Sequence, residues 1–338
     1  MGGPGPDMTN KKGPGMNTWL AAIFVMACLT GAAAAQSYPN RPITLIITAA
    51  PGGVTDVSGR ALAQELTKAW GQPVIVENKG GGAHVAGAET VAKAAPDGYT
   101  LLVGESGPFA VNPSLLPNEK VPYNVDKDFT PITGLVRIYQ ALLTEKSLPV
   151  SNAADFIALA KQKPGQLTYG TAGVGSALHM NMELLSNMAG IKMLPIHYRG
   201  ATPALNDLIG GSINSMIVSV ASGLPAFRAG QIKMLGIGAP KRMALVPDVP
   251  TIAESGLPGY EATAWFGLFA PAGTPAGIVT KLDKETIRIF NDPAFRARFL
   301  DPQMFESMAG PPEEFAAFIK AERDKWAKVI HEAGIKVE

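Results

Sequence analysis

Four histidines, His84, His179, His197 and His331, are the side chains of this 338-residue chain best suited to acid–base or metal chemistry. None stands in an H-E-x-x-H frame or at another metal-ligand spacing. Ser176 lacks the G-x-S-x-G frame of a nucleophile elbow. No G-x-x-x-x-G-K-[ST] loop is present, and Gly80-Gly-Gly82 does not extend to G-x-G-x-x-G. Glu77, Glu105 and Asp207 are isolated acids; only folding would bring them together for paired-carboxylate work. The residue types therefore predict no catalytic residue, no metal and no cofactor. A secreted hydrolase built on an acid pair is the alternative from another class.

Two Gly-rich turns offer a different chemistry. Ala50-Pro-Gly-Gly-Val-Thr-Asp56 and Thr171-Ala-Gly-Val-Gly-Ser176 each join an apolar run to a helical pattern. A helix start presents unpaired backbone N–H groups and a favourable field for negative charge. Glycine lets a ligand approach that backbone closely. Two such turns facing each other would grip a carboxylate from both sides. Turns of this composition are also common as plain tight turns, and residue types alone leave both readings open. Asp56 is expected to cap its helix with its oxygens on backbone N–H groups, since a free carboxylate would oppose an anion. His179 is read either as a core histidine or as a cleft residue, and Arg199 as a solvated side chain or a ligand clamp. Trp265 and Phe266 either line a cleft or fill the core.

The elements that must position these turns alternate. Ile43–Thr48, Pro73–Glu77 and Tyr99–Gly104 read as buried strands, with a helix after the first and a short Ala-rich helix from about Val85 to Ala94. This β-α-β-α-β order implies a parallel sheet. Leu135 to Thr144 reads as a connection or crossing strand. A second α/β unit covers about 140–258, with strands at Leu167–Thr171, Leu194–Tyr198, Ser215–Val220 and Lys233–Ile237. Thr263–Ala270 reads as a return strand or hinge. The last helix, Glu313–Glu332, carries Phe315, Phe318, Ile319, Trp326, Val329 and Ile330 on one stripe, with Lys320, Glu322 and Asp324 mostly off it.

Composition narrows the partners. Hydrophobic residues make up 46% and charged residues 17%, enough apolar material for a packed core. The net charge of +1 gives no footprint for nucleic acid or an acidic membrane. Lys11 and Lys12, the apolar run Trp19–Leu29 and the A-x-A site at Ala33 and Ala35 have the layout of a secretory signal peptide. Cleavage near Ala35 is expected. Val25-Met-Ala-Cys28 offers a weaker lipoprotein reading. Beyond residue 35 there are 27 basic and 27 acidic residues and no cysteine, which leaves no disulfide, thiolate or Cys-based zinc site there. The expected domains are a signal peptide at 1–35, lobe 1 at 36–137 with 262–338 returning to it, and lobe 2 at 138–261.

Taken in order, these segments resemble the Bug-type periplasmic solute receptors of the tripartite tricarboxylate transporter (TctC-like) family. The resemblance runs from Tyr38 to Lys336. It rests on Gly52-Gly-x-x-Asp56, Gly71-Gln-Pro-Val-Ile-Val-Glu-Asn78, Ala95-Pro-Asp-Gly-Tyr-Thr-Leu-Leu102, Asn112-Pro113, Pro164-Gly-Gln-Leu-Thr-Tyr169 and Gly173-x-Gly-Ser-x-x-His179. Tyr198-Arg-Gly200, Pro203-Ala-Leu-x-Asp-Leu208, Pro247-Asp-Val-Pro-Thr251, Trp265-Phe-Gly267 and Ala270-Pro-Ala-Gly-Thr-Pro275 continue it. The resemblance implies an α/β, type II-like, two-lobe "Venus flytrap" closing on a small organic acid, with integral-membrane transporter subunits as partners. It implies a periplasmic monomer that is not an enzyme. A receptor of the same fold serving a sensor is the alternative within the class. Carried over, the ligand-binding residues are Gly52, Gly53 and Thr55 on lobe 1, and Thr171, Gly173, Gly175, Ser176, Tyr198 and Gly200 on lobe 2. Two departures bear on the ligand. Thr48-Ala49-Ala50-Pro51 lacks the Phe common before the Gly pair, and His197 stands where Pro is usual.

Overall fold

Strand β1 (Ile43–Ile47) is almost wholly buried, which is why it reads as a continuous apolar run. It pairs in parallel with β2 (Val74–Asn78) on one side and β3 (Thr100–Glu105) on the other. Helix α1 (Val54–Trp70) and helix α2 (Val85–Ala92) make the crossovers. The computed structural model of the chain describes residues 1–3, 5, 38–49, 51–80 and 84–336. Of the expected signal peptide, residue 4 and residues 6–35, with Cys28 among them, lie outside the described residues.

Strand β4 (Phe129–Glu145) carries the chain from one sheet to another. From Phe129 to Tyr139 it pairs antiparallel with β9 (Thr263–Pro271), which in turn pairs antiparallel with β3. From Gln140 onward it lies between β7 (Ser215–Ser219) and β8 (Ile232–Ile237). The first sheet therefore runs β2-β1-β3-β9-β4, with the short β10 (Glu306–Ser307) against β4. The second runs β8-β4-β7-β5-β6, where β5 (Thr168–Thr171) is parallel to both β6 (Leu194–His197) and β7. The crossing strand and the return strand are thus the same feature seen twice: β4 and β9 side by side.

Alternation along the second sheet fills a core on each face. Leu142 and Ile217 join Phe156, Tyr169, Leu185 and Tyr260 on one side. Leu143, Met216 and Val218 join Leu208, Leu224 and Ile237 on the other. Helices α3 (Ala153–Gln162), α4 (Ala177–Ala189), α5 (Ala201–Ile209) and α6 (Val220–Arg228) connect these strands. In the first sheet, Phe109 stacks on Phe269 at 3.9 Å between ring centres, and Trp265 and Phe315 belong to the same cluster. Trp265 and Phe266 are both buried, so they fill core.

Helix α7 (Ala276–Asn291) and helix α8 (Pro312–Ala333) close the chain onto the first sheet. One expectation for α8 is corrected. Glu322 is buried and does not share the charged face with Lys320 and Asp324. Its Oε2 accepts the indole N–H groups of Trp265 (3.1 Å) and Trp326 (3.2 Å). Glu322 follows Phe315 by seven residues and precedes Trp326 by four, which places it on the apolar stripe. An acid can stand there because two buried indoles need an acceptor.

Helix α4 belongs to the second sheet yet reaches the first: Met180 packs in the cluster of Phe109 and Trp265. Next to it, the buried Asn181 amide donates to Gln140 Oε1 (2.8 Å) on β4 and to the Thr263 carbonyl (3.0 Å) on β9. Tyr260 donates to the Asn181 carbonyl at 2.7 Å. One helix residue thus ties together both crossing strands at the point where the sheet changes.

Candidate ligand-binding site

Both Gly-rich turns stand at the carboxyl ends of parallel strands, the side on which open α/β sheets bind ligands. In lobe 1 the turn leaves β1 at Thr48 and enters α1 with Gly53 as the N-cap. Asp56 is not the N-cap itself; it is the third helical residue and reaches back. Its carboxylate accepts the Gly52 N–H (2.9 Å), the Asn78 amide (2.8 Å) and Arg60 Nε (2.9 Å). Burial alone would raise its pKa, but Arg60, the Gly52 N–H and Asn78 outweigh burial and hold it below the usual carboxylate range. The free carboxylate feared at an anion site is therefore fully engaged.

Glu105, the last residue of β3, occupies the same turn region. Its carboxylate accepts the hydroxyls of Thr48 (3.2 Å) and Thr55 (3.4 Å) and pairs with His84 Nδ1. Both threonines are buried. His84 caps α2 with φ of 68°, a backbone conformation that side chains other than Gly seldom take. Burial lowers the His84 pKa, but the hydrogen bond and charge of Glu105 raise it further, for a net rise. In the sequence Glu105 stands as an isolated acid. The structure puts it with His84, puts Asp207 with the Tyr198 hydroxyl (2.6 Å), and leaves Glu77 on the exposed side of β2.

The lobe 2 turn is built from neutral groups. Thr171 Oγ1 accepts the Gly173 N–H (3.1 Å) and bonds to His197 Nδ1 (2.7 Å). Gly175 N–H donates to His179 Nδ1 (3.2 Å), which puts the neutral ring's proton on Nε2. Burial, with the neighbouring His197, pushes the His179 pKa down to about 4. Burial also lowers that of His197. Ser176 is the N-cap of α4, its hydroxyl oxygen accepting the His179 N–H at 3.3 Å. That use consumes a lone pair and leaves the hydroxyl proton to donate outward.

Gly175 meets lobe 1 directly. A Cβ on it would lie 2.7 Å from Leu115 Cδ2, and its φ is 76°. A side chain here would have to displace the end of Leu115 and adopt a strained backbone conformation, so the glycine serves close approach as well as the turn. Tyr198 and Gly200 follow β6, with Gly200 as the N-cap of α5 and Arg199 exposed beside them. The Tyr198 hydroxyl, with its pKa pushed up to about 12 by burial and then Asp207, points at α5.

Two cavities lie away from both turns. One of about 240 Å³ is lined by Pro113, Tyr123, Asn124, Asp126 and Arg323, and shares no residue with either turn. Its cation is already bridged to Asp126 at 2.7 Å.

Residues 59–335 match the family model described as "Tripartite tricarboxylate transporter family receptor". The chain belongs to this receptor family. BugT of Bordetella pertussis is 35% identical over 96% of this chain and 99% of its own. The solved structure of R. palustris Rpa4515 with adipate superposes with a TM-score of 0.79 at 34% identity, covering 88% of this chain and 99% of that one. MatC from Rhodopseudomonas palustris with bound malate gives 0.75 at 34% identity over 87% and 100%. The fold is the two-lobe α/β architecture shared with the solved periplasmic binding protein BugD, at a TM-score of 0.76 and 32% identity over 89% of this chain and 100% of that one.

Proposed function

We propose that this chain is a periplasmic receptor that captures a small organic carboxylate between its lobes for a tripartite tricarboxylate-type transporter. The observation that carries this reading is the pair of strand-to-helix turns, Gly52–Thr55 and Thr171–Ser176, each at the carboxyl end of a parallel strand. Relatives of the same fold hold adipate and malate. The donors on lobe 1 are backbone N–H groups near Gly53. On lobe 2 they are the Ser176 hydroxyl and backbone groups around Gly173 and Gly200. The Gly175 N–H and the Thr171 oxygen shape the turn from behind. Thr55 acts through Glu105. Ligand closes the cleft, with β4 and β9 as the hinge.

A thermal-shift screen of mono-, di- and tricarboxylates, followed by calorimetric titration, tests this. At least one acid should stabilise the protein without being turned over. Ser176→Ala should weaken its binding on the order of tenfold, and Arg199→Gln by much less. Absence of stabilisation by every acid, or turnover of one, would overturn the receptor reading.

A further inference from the structure

Glu105 sets a problem for a site that binds anions. It is a carboxylate at the end of β3, where the turn before α1 and the start of α2 meet. It draws on the Thr48 and Thr55 hydroxyls, two side-chain donors at the lobe 1 turn. A bare carboxylate placed here meets like charge where it would have met donors.

The geometry shows that the acid is held in place, not merely tolerated. Two buried threonines from different elements, one just past β1 and one in the first turn of α1, aim at its two oxygens. His84 approaches from α2 in a backbone conformation costly for a side chain. A carboxylate offers about four acceptor positions. Its side chain keeps 18% of its surface exposed after these three contacts. An oriented acceptor with an open side is what a ligand's own donor requires.

Resting on the receptor reading above, we propose that Glu105 is a specificity-determining residue and that the ligand is a carboxylate bearing a hydrogen-bond donor, a hydroxyl or an ammonium, beside its acid group. The turns take the carboxylate, and Glu105 takes the donor. Plain acids are rejected because, in the closed cleft, they bring no donor to the one open side of Glu105 that its three protein partners leave, and an acceptor position desolvated without a donor discriminates strongly.

Calorimetric titration with matched acids tests this: succinate, glutarate and adipate, each beside its 2-hydroxy and 2-amino derivative. For the chain length that fits, a substituted acid should bind at least about tenfold more tightly than the plain one. Glu105→Gln, which keeps one acceptor for the threonines, should bring the two within about threefold, and Glu105→Asp, which withdraws the carboxylate, should do likewise. Preference for the 2-amino acid would show that Glu105 reads charge; preference for the 2-hydroxy acid, that it reads a neutral donor beside His84. Equal binding of plain and substituted acids by the wild type overturns the role of Glu105 and leaves the receptor reading standing. So does a preference that survives in both variants. Binding of none of these acids, together with no stabilisation across the wider mono-, di- and tricarboxylate screen, overturns the carboxylate reading itself.

Discussion

The two turns share a position in the fold but are built from opposite materials. Lobe 1 is held through acids: Asp56 with Arg60, and Glu105 with His84. Lobe 2 is held by neutral groups: Thr171 with His197, and Gly175 with His179. The lobe 1 turn is exposed at Gly52 and Gly53, whereas Gly175 is packed against Leu115 of the facing lobe. One turn is open at its glycines and anchored through acids; the other is wedged at the buried Gly175 while Val174 beside it stays exposed. Equivalent places in two α/β units therefore need not respond alike to mutation or to pH.

The largest expected difference is steric. Gly175→Val combines a positive φ with a collision at 2.7 Å and should destabilise by roughly 3–4 kcal/mol. Gly52→Val, at φ of 88° with nothing within 4 Å, should cost only the backbone strain, about 1–2 kcal/mol. Denaturant melts of both variants check this, and equal losses would break the contrast.

Acidity should separate the lobes next. His179 is held neutral, with a folded pKa of about 4 against an ordinary value of 6.5. The unfolded chain takes up its proton first, so stability is full above about pH 6.5 and falls as the pH drops towards 4. The loss is on the order of 2–3 kcal/mol. His84 has the reverse sign: its pairing with Glu105 raises its pKa. Its contribution is complete below the ordinary value and is lost as pH rises through the folded one. Stability measured across pH 4–8 should flatten at its acid end in His179→Gln, which can still accept the Gly175 N–H. An unchanged acid slope in that variant would remove His179 from the account.

The smallest effect concerns Asp56. Its two oxygens serve three donors, so Asp56→Ala should cost about 2 kcal/mol and Asp56→Asn about 1, because an amide keeps only one acceptor. Ligand preference should stay unchanged in both. A change of preference in Asp56→Asn, measured by the same titrations, would move Asp56 from the scaffold into the site.

Much of this was legible in the residues. Apolar runs such as Ile43–Ile47 and turn signals such as Pro96-Asp-Gly98 need only local physics, because strand burial and backbone preference act over a few residues. The parallel β-α-β units, the two Gly-rich turns and the return of Thr263–Pro271 follow from such signals in order. The pairing of Glu105 with His84 joins residues 21 apart, and that of His197 with Thr171 joins residues 26 apart. No local spacing encodes those meetings. They depend on which strand lies beside which, and side-chain pairing of that kind is decided only when the sheet order β2-β1-β3 and the parallel pair β5–β6 are assembled. The same holds for Asn181, an unremarkable helix residue in the sequence that becomes the tie between β4 and β9. The chain by itself determined its elements, its turns and its family. Tertiary structure alone decided which donors of those turns are already engaged, because a hydrogen bond to a distant side chain spends a donor that the local sequence leaves free.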